Sequence, residues 1–357
     1  MYAPVLEIHA GKLKNNAKLL KEQCSNWQID PVFVTKGVCA YPGVIQAVQA
    51  GGINRFADSR MQNIIAAKRE IPGLNYLLIR IPALDEAEEV VRWTDCSLQS
   101  QIETIRAVSE EALRQGKVHP IILMIDVGDL REGVWGYGQI SEIAAQIREC
   151  HGVKLIGLGT NVGCYGSVLP SPENTRVLVD WRDFLNSAYG FQIMTISVGG
   201  TCSLKLLEDG TMPTEVNHIR VGEAILCGED TTGNHRLSGF YWDAFRISAQ
   251  VVELKRKPSV PVGELGRDCS GNQPSYPDRG IRLRAICAIG KQDIDWTALT
   301  PLLSGAEIIG ASSDHLILDV EACKEDIRPG DRLWFRCGYM AVLHAVTSPY
   351  VKVELIS

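Results

Sequence analysis

The chain has 357 residues, 45% of them hydrophobic and 22% charged, with a formal net charge of −6. That length accommodates one large domain plus a smaller one, and the acidic balance argues against a general binder of nucleic-acid backbones. No run of ~20 apolar residues marks a membrane span, and the first residues lack the apolar centre of a signal peptide.

The first β-forming run, "PVLEIHA", precedes any repeating pattern and is expected to join a distant β domain. From residue 30 to about residue 226, β-forming runs alternate with amphipathic pieces. The runs are "PVFVTK", "RFADS", "NYLLIRIP", "TDCSLQS", "PIILMIDVG", "VKLIGLGT", "IMTISVGG" and "HIRVGEAIL". Pieces such as "PGVIQAVQAGG", "SRMQNIIAAKRE", "ALDEAEEVVRW" and "SQIETIRAVSEEALRQG" repeat their apolar residues at three and four. Strands apolar on both faces that alternate with helices predict a parallel sheet. Eight of them with no break predict a closed (β/α)8 barrel rather than a doubly wound sheet.

After "GEDTTGNHRLSGF" the pattern becomes strands parted by turns, with little helical periodicity: "AFRISAQVVELKRKP", "IRLRAICAIGK", "AEIIGASSDHLILDV", "DRLWFRCG". The predicted architecture is therefore α/β. Residues 1–10 form a strand pairing with the C-terminal domain, 11–235 a (β/α)8 TIM barrel, and 236–357 a β domain. Eleven scattered cysteines, with no C-x-x-C pair, predict free thiols in a reducing cytoplasm. The seven histidines never fall at metal spacing, so no metal is expected. "GLGTNVG" misplaces the third glycine of a dinucleotide fingerprint, and no phosphate-binding G-x-x-x-x-G-K-[ST] loop occurs.

Barrel active sites lie at the carboxyl ends of the strands. There the sequence places Lys36, Asp58 and Ser59, Arg80, Gln99 and Ser100, then Asp126, Asp129 and Arg131. Thr160, Asn161, Thr201, Ser203 and Arg220 follow, which together predict an anion-binding chamber. "SVGGTCSLKLL" and "RVGEAILCG" each lead a strand through glycine into a probable helix, offering free backbone N–H groups to an anion. On neighbouring strands seven and eight, they form the usual phosphate site of a barrel. A lysine closing a buried strand is costly unless it is paired, deprotonated or covalently used. Opposite a phosphate site, Lys36 suggests a Schiff base with pyridoxal phosphate. The competing reading is an ordinary phosphate-binding or ion-paired lysine.

The chain resembles the alanine racemase-like pyridoxal-phosphate enzymes, and within them the ornithine racemase-like branch. The resemblance runs from "LEIHAGKLKNNAKLL" to "TSPYVKVEL". It is carried by "VTKGVC", "DVGDLREGV", "GLGTNVGCYG", "SVGGTCSLKLL", "HIRVGEAILCGED", "KPSVPVGELGRDCSGN", "RAICAIGKQDID" and "GASSDHLILD". It implies that Lys36 holds the cofactor and acts as one catalytic base, while Arg220 donates to the pyridine nitrogen. Thr201, Ser203 and the backbone of Gly222 and Glu223 would hold the phosphate, with Tyr41 and Tyr350 near it. Arg131 would organise the substrate carboxylate. A modified lysine seven residues earlier supports that arginine in alanine racemases; here the position is Met124, so Asp126 or Asp129 is expected to substitute. Asn161, Ser313 and Asp314 are further substrate-binding candidates, the last two reaching across a homodimer.

Racemisation needs a proton acceptor on each face of a planar intermediate. Alanine racemases take the second from a tyrosine in a "GYADG" stretch of the partner subunit. The matching stretch here is "VGELGRD", leaving Glu264, Asp268, Cys269 or Tyr276 as candidates. Acidic Asp129, Glu132, Glu264 and Asp268 would receive the distal ammonium of a basic amino acid such as ornithine or lysine. The expected activity is L/D interconversion of that amino acid. The alternatives are a decarboxylase on the same architecture and a non-catalytic pyridoxal-phosphate-binding protein.

Overall fold

The computed structural model describes residues 4–267, 271, 273 and 275–357. The chain divides into two compact units, Ala10–Trp242 and a second built from the described residues up to His9 together with Asp243–Ser357. The second unit opens with β1 (Val5–His9).

The first unit is a closed parallel barrel of β2 (Asp30–Val34), β3 (Arg55–Asp58), β4 (Asn75–Leu78), β5 (Cys96–Gln99), β6 (His119–Met124), β7 (Val153–Gly159), β8 (Thr195–Gly199) and β9 (His218–Val221). Closure is made by β9 pairing with β2, Phe33 opposite Val221. Val32, Val34, Ala57, Leu77, Leu98, Ile122 and Met124 form one buried cluster, which is why these short runs are apolar with little alternation. The surrounding helices bury one stripe each. The helix Ala10–Ser25 buries Leu13, Asn16, Ala17, Leu20 and Cys24, the spacing of a single face. On β7, glycine is required by space: a Cβ at Gly159 would lie 2.9 Å from Met124 Sδ of β6.

The second unit is a mainly antiparallel sheet, with one parallel pair, around the long strand Phe245–Pro258, which pairs with Ile281–Cys287 and Arg332–Cys337. β1 lies between Phe245–Pro258 (Leu6 opposite Ile247) and Lys352–Ile356 (Leu6 opposite Val353). The expectation of strands and turns alone for this segment misses the helix Tyr339–Thr347. It buries Ala341, Val342 and Ala345, a three-residue seam too short to separate from a buried strand by periodicity. Among the described residues, no helix is long and apolar enough to cross a membrane.

Candidate active site

β2 ends at Val34, so Lys36 lies not on the strand but on the single turn Thr35–Val38 that follows it. Left-handed backbone at Cys39 and Ala40 (φ 48° and 52°) then swings the chain into the helix Pro42–Ala50, with Tyr41 at its N-cap. The turn is pinned from below. Thr35 Oγ1 donates to the buried Asp58 Oδ2 at 2.6 Å, and Asp58 Oδ1 accepts from the Arg60 amide (2.9 Å) and Asn63 Nδ2 (3.1 Å). Among the described residues the Lys36 amine has no hydrogen bond or ion pair. Burial, followed by the positive charge of Arg131, pulls its pKa below the ordinary lysine value, because both disfavour the ammonium form. The result is an amine biased towards neutrality at the barrel mouth.

The two glycine turns follow β8 and β9, and β9 pairs with β2. β8 and β9 are hydrogen-bonded neighbours, with Gly199 opposite Arg220. Gly200 (φ 90°) starts the turn Thr201–Ser203 after β8, and Gly222 starts the short helix Glu223–Cys227 after β9. Thr201 Oγ1 accepts the Ala224 amide at 3.1 Å, which ties the two turns together and leaves the hydroxyl proton available to a ligand. A Cβ at Gly222 would approach Val34 O of β2 to 3.2 Å, so this turn abuts the end of the strand that leads into the Lys36 turn. Ser203 is a correction to the expected phosphate ligands: its hydroxyl donates to Gly199 O (2.9 Å) and its amide to Gly200 O (3.2 Å), so neither hydrogen is free. The Glu223 carboxyl accepts from Thr231, and burial raises its pKa.

Arg220 is 4% exposed. Its Nη2 donates to Thr160 O at 2.7 Å and its Nη1 to Ser197 Oγ. Among the described residues no carboxylate lies within ion-pair distance. Burial of this cation without a partner lowers its pKa to about 10. Beside it the Thr160 hydroxyl is buried with no hydrogen-bond partner. Asn161 flanks the same spot, since a Cβ built on Gly199 would lie 2.5 Å from Asn161 Oδ1 and against the Arg220 guanidinium.

Arg131 is held by Glu132, through Nε and through Nη2 to Oε1 (2.6 Å), and donates Nη1 to Cys164 Sγ at 2.8 Å. The expected support from Asp126 or Asp129 is therefore corrected. Asp126 Oδ1 accepts the amides of Gly128 (2.8 Å) and Leu130 (3.2 Å). Asp129, 1% exposed, accepts amides of Cys164 (3.4 Å), Tyr165 (3.1 Å) and Val168 (3.2 Å). Asp129 thus anchors its neighbouring loop. Arg80, also expected at the mouth, is paired with Glu86 at 2.6 Å.

In the second unit Glu264 and Tyr276 are exposed, as are Ser313 and Asp314, and Tyr350 is 64% exposed. Asp314 Oδ1 accepts Gln292 Nε2 at 2.7 Å. Asp268 and Cys269 lie outside the described residues. Two residues that strand-end reading passes over belong to the Arg220 surroundings: Ser197, inside β8, and His218, at the start of β9. The signal that would have found them is the barrel register, in which they stand opposite each other.

Residues 8–230 match the family model described as alanine racemase, N-terminal domain. The chain is 38% identical over 353 residues to an ornithine racemase of Acetoanaerobium sticklandii, covering 99% of each. It is 39% identical over 352 residues to a lysine racemase of Thermotoga maritima, covering 99% of this chain and 98% of that one. Among solved structures, alanine racemase from Bacillus anthracis superposes with a TM-score of 0.74 at 13% identity, covering 100% of this chain and 96% of the other. Alanine racemase from Bartonella henselae, with covalently bound pyridoxal phosphate, gives 0.72 at 15% identity over 100% of both.

Proposed function

The chain belongs to the alanine racemase family, and from that premise we propose that it is an isomerase interconverting the L and D forms of a basic amino acid, ornithine or lysine. The observation that carries this reading is the end-to-end likeness, at 38% and 39% identity, to racemases of those two amino acids.

The cofactor in this reading is pyridoxal phosphate, and the residues fit it. Arg220 is a buried cation with donors to spare and no carboxylate, the situation of a group built to meet an external acceptor. The Thr201 hydroxyl and the amides at Gly222 and Glu223 suit the phosphate. Lys36 suits the aldehyde, being unpaired and biased towards the neutral amine. When bound, the cofactor supplies an electron-withdrawing ring that spreads the charge left at Cα. The guanidinium of Arg220, which remains protonated, would hold the ring nitrogen by donating to it rather than protonating it, and so would limit that withdrawal. This favours a brief loss and return of one proton over deeper rearrangement. Lys36 Nζ takes and returns the proton on one face. Arg131, oriented by Glu132, receives the substrate carboxylate.

The second proton donor in this reading comes from the partner subunit of a homodimer. What supports it is that the acids at the barrel mouth are engaged: Asp58 by Thr35 and Asn63, Asp129 by loop amides, Glu132 by Arg131. The candidates remain Glu264, Asp268, Cys269 and Tyr276, with Ser313, Asp314 and Tyr350 contributing substrate and cofactor contacts. Glu264 and Asp268 are also the remaining acids for the distal ammonium. The ten cysteines among the described residues are free thiols, which supports a cytoplasmic setting.

Steady-state rates with L-ornithine, L-lysine and L-alanine test the substrate class. We expect kcat/KM for ornithine or lysine to exceed that for alanine by about 100-fold, because a site that pairs a distal charge is left unsatisfied by a methyl group. A preference for alanine overturns the class. Release of carbon dioxide in place of α-proton exchange with deuterated water establishes the decarboxylase instead.

A further inference from the structure

The walls of β8 and β9 hold a buried polar chain that cofactor contact alone does not require. Ser197 (0% exposed) faces His218 (7% exposed) across the register, Oγ to Nδ1 at 2.8 Å. The same Oγ accepts from Arg220 Nη1. The donor inventory fixes the first contact: a guanidinium only donates, so the Ser197 oxygen is the acceptor towards Arg220. The hydroxyl keeps one proton to give, and His218 Nδ1 at 2.8 Å is the neighbour that takes it when the neutral ring carries its own proton on Nε2; the opposite tautomer would donate Nδ1–H to the second lone pair of the serine oxygen. Burial, then the charges of Arg220 and Arg55, keep the ring in that neutral form. The step from Arg220 to Ser197 has one direction, because a guanidinium has no acceptor, and the His218 tautomer sets the direction of the next.

We propose that Ser197 and His218 are positioning residues for Arg220: the serine oxygen, oriented by the histidine, fixes one edge of the guanidinium while Thr160 O fixes another. Two anchors, one on β8 and one just past the end of β7, leave the planar fork one orientation, and its remaining N–H groups are directed by default rather than by the ligand. A pinned fork gives up less freedom when it meets an acceptor and holds that contact at constant geometry through the reaction. The consequence for turnover rests on the reading of Arg220 under Proposed function; the pinning itself does not.

Nitrogen-15 NMR of the ligand-free protein tests the pinning. At pH 7 the His218 ring, assigned by its loss in His218→Asn, is expected to be neutral with the proton on Nε2. Rotation of the Arg220 guanidinium is expected to be slow in the wild type and freed in Ser197→Ala. A cationic ring, a proton on Nδ1, or equal rotation in both proteins overturns the proposal. In the holoenzyme Ser197→Ala is expected to lower kcat by about 10- to 100-fold, the worth of one hydrogen bond to a charged group. KM should stay within about twofold, and Ser197→Thr, which keeps the hydroxyl, should recover most of the rate. Should Ser197→Ala fail to fold, His218→Asn against His218→Leu decides: asparagine retains an acceptor near Nδ1, so equal kcat and equal cofactor absorbance in the two variants overturn the proposal. A wild type that neither binds the cofactor nor racemises sinks the reading of function, while the ligand-free measurements still decide the pinning.

Discussion

Replacing Lys36 with alanine lowers Cα proton exchange by at least about 10³-fold while leaving the barrel folded. The size follows from general-base catalysis, in which a positioned group contributes roughly 10²–10⁴-fold. Folding is spared because the amine holds nothing together. The turn that carries it is anchored by Thr35 and Asp58. Substitution with arginine discriminates between the two roles left open by the sequence. An ion-paired or phosphate-binding cation survives the change to arginine with modest loss. A proton-transferring amine does not, because a guanidinium stays protonated across the working pH range. Lys36→Arg is therefore expected to be as inactive as Lys36→Ala, with both unfolding at the wild-type denaturant midpoint. Exchange of the substrate α-proton in deuterated water measures the first property and circular dichroism in urea the second. Arginine supporting more than a tenth of the wild-type rate would remove Lys36 from proton transfer.

Acid destabilises the protein steeply well above the range where carboxylates titrate. His218, with a pKa pushed down to about 3, and His119, pushed down to about 4, are both buried and neutral in the fold, burial being the chief cause for each. His119 Nε2 lies 3.1 Å from Ser97 Oγ, which itself accepts from Gln99 Nε2 at 3.0 Å, a contact that a neutral ring satisfies in either tautomer. In the unfolded chain both rings titrate near ~6.5. Below that pH the unfolded chain takes up two protons that the folded chain refuses, so stability is full above pH ~6.5 and is lost as pH falls. Each ring contributes a slope of ~1.4 kcal/mol per pH unit. Across two units, two rings remove about 5 kcal/mol, which rivals the total stability of many domains. Asp58 and Glu223, whose pKa values burial raises, act in the opposite sense near the carboxylate range and soften the lower end of the fall. Urea midpoints at pH 7, 6 and 5 measure the slope. His119→Gln, whose amide oxygen replaces Nε2 as acceptor, should halve it; an unchanged slope in that variant would show that the histidines are not its source.

The two histidines also show why parts of the site escape a linear reading. Each stands at the start of its strand, away from the carboxyl ends where function is sought, and each is bonded to a serine on the preceding strand. Ser97 and His119 are 22 residues apart, and Ser197 and His218 are 21 apart. The same distance effect misleads in the other direction. Asp129 and Ser203 sit at strand ends and carry the right atoms, yet those atoms are spent on backbone partners. Glu132, adjacent to Arg131 in the chain, is the residue that holds it, whereas the family position falls on Met124 and the substitutes expected for it are Asp126 and Asp129.

Read alone, the sequence determined the eight alternating strands, the change to β pattern beyond the barrel, and the lysine and glycine turns that mark the mouth. These features are local: strand and helix periods, glycine where backbone must come close, and charge at the end of an apolar run are all written within ten residues. Only the tertiary structure decided which of the polar groups at the mouth remain available. A donor or acceptor is used up by whatever lies within about 3 Å of it, and in a closed barrel that neighbour is set by the register of the adjacent strand. Arg220 illustrates both halves: its place after "HI" on the last strand was legible, while the serine and the threonine carbonyl around it emerged only on closure.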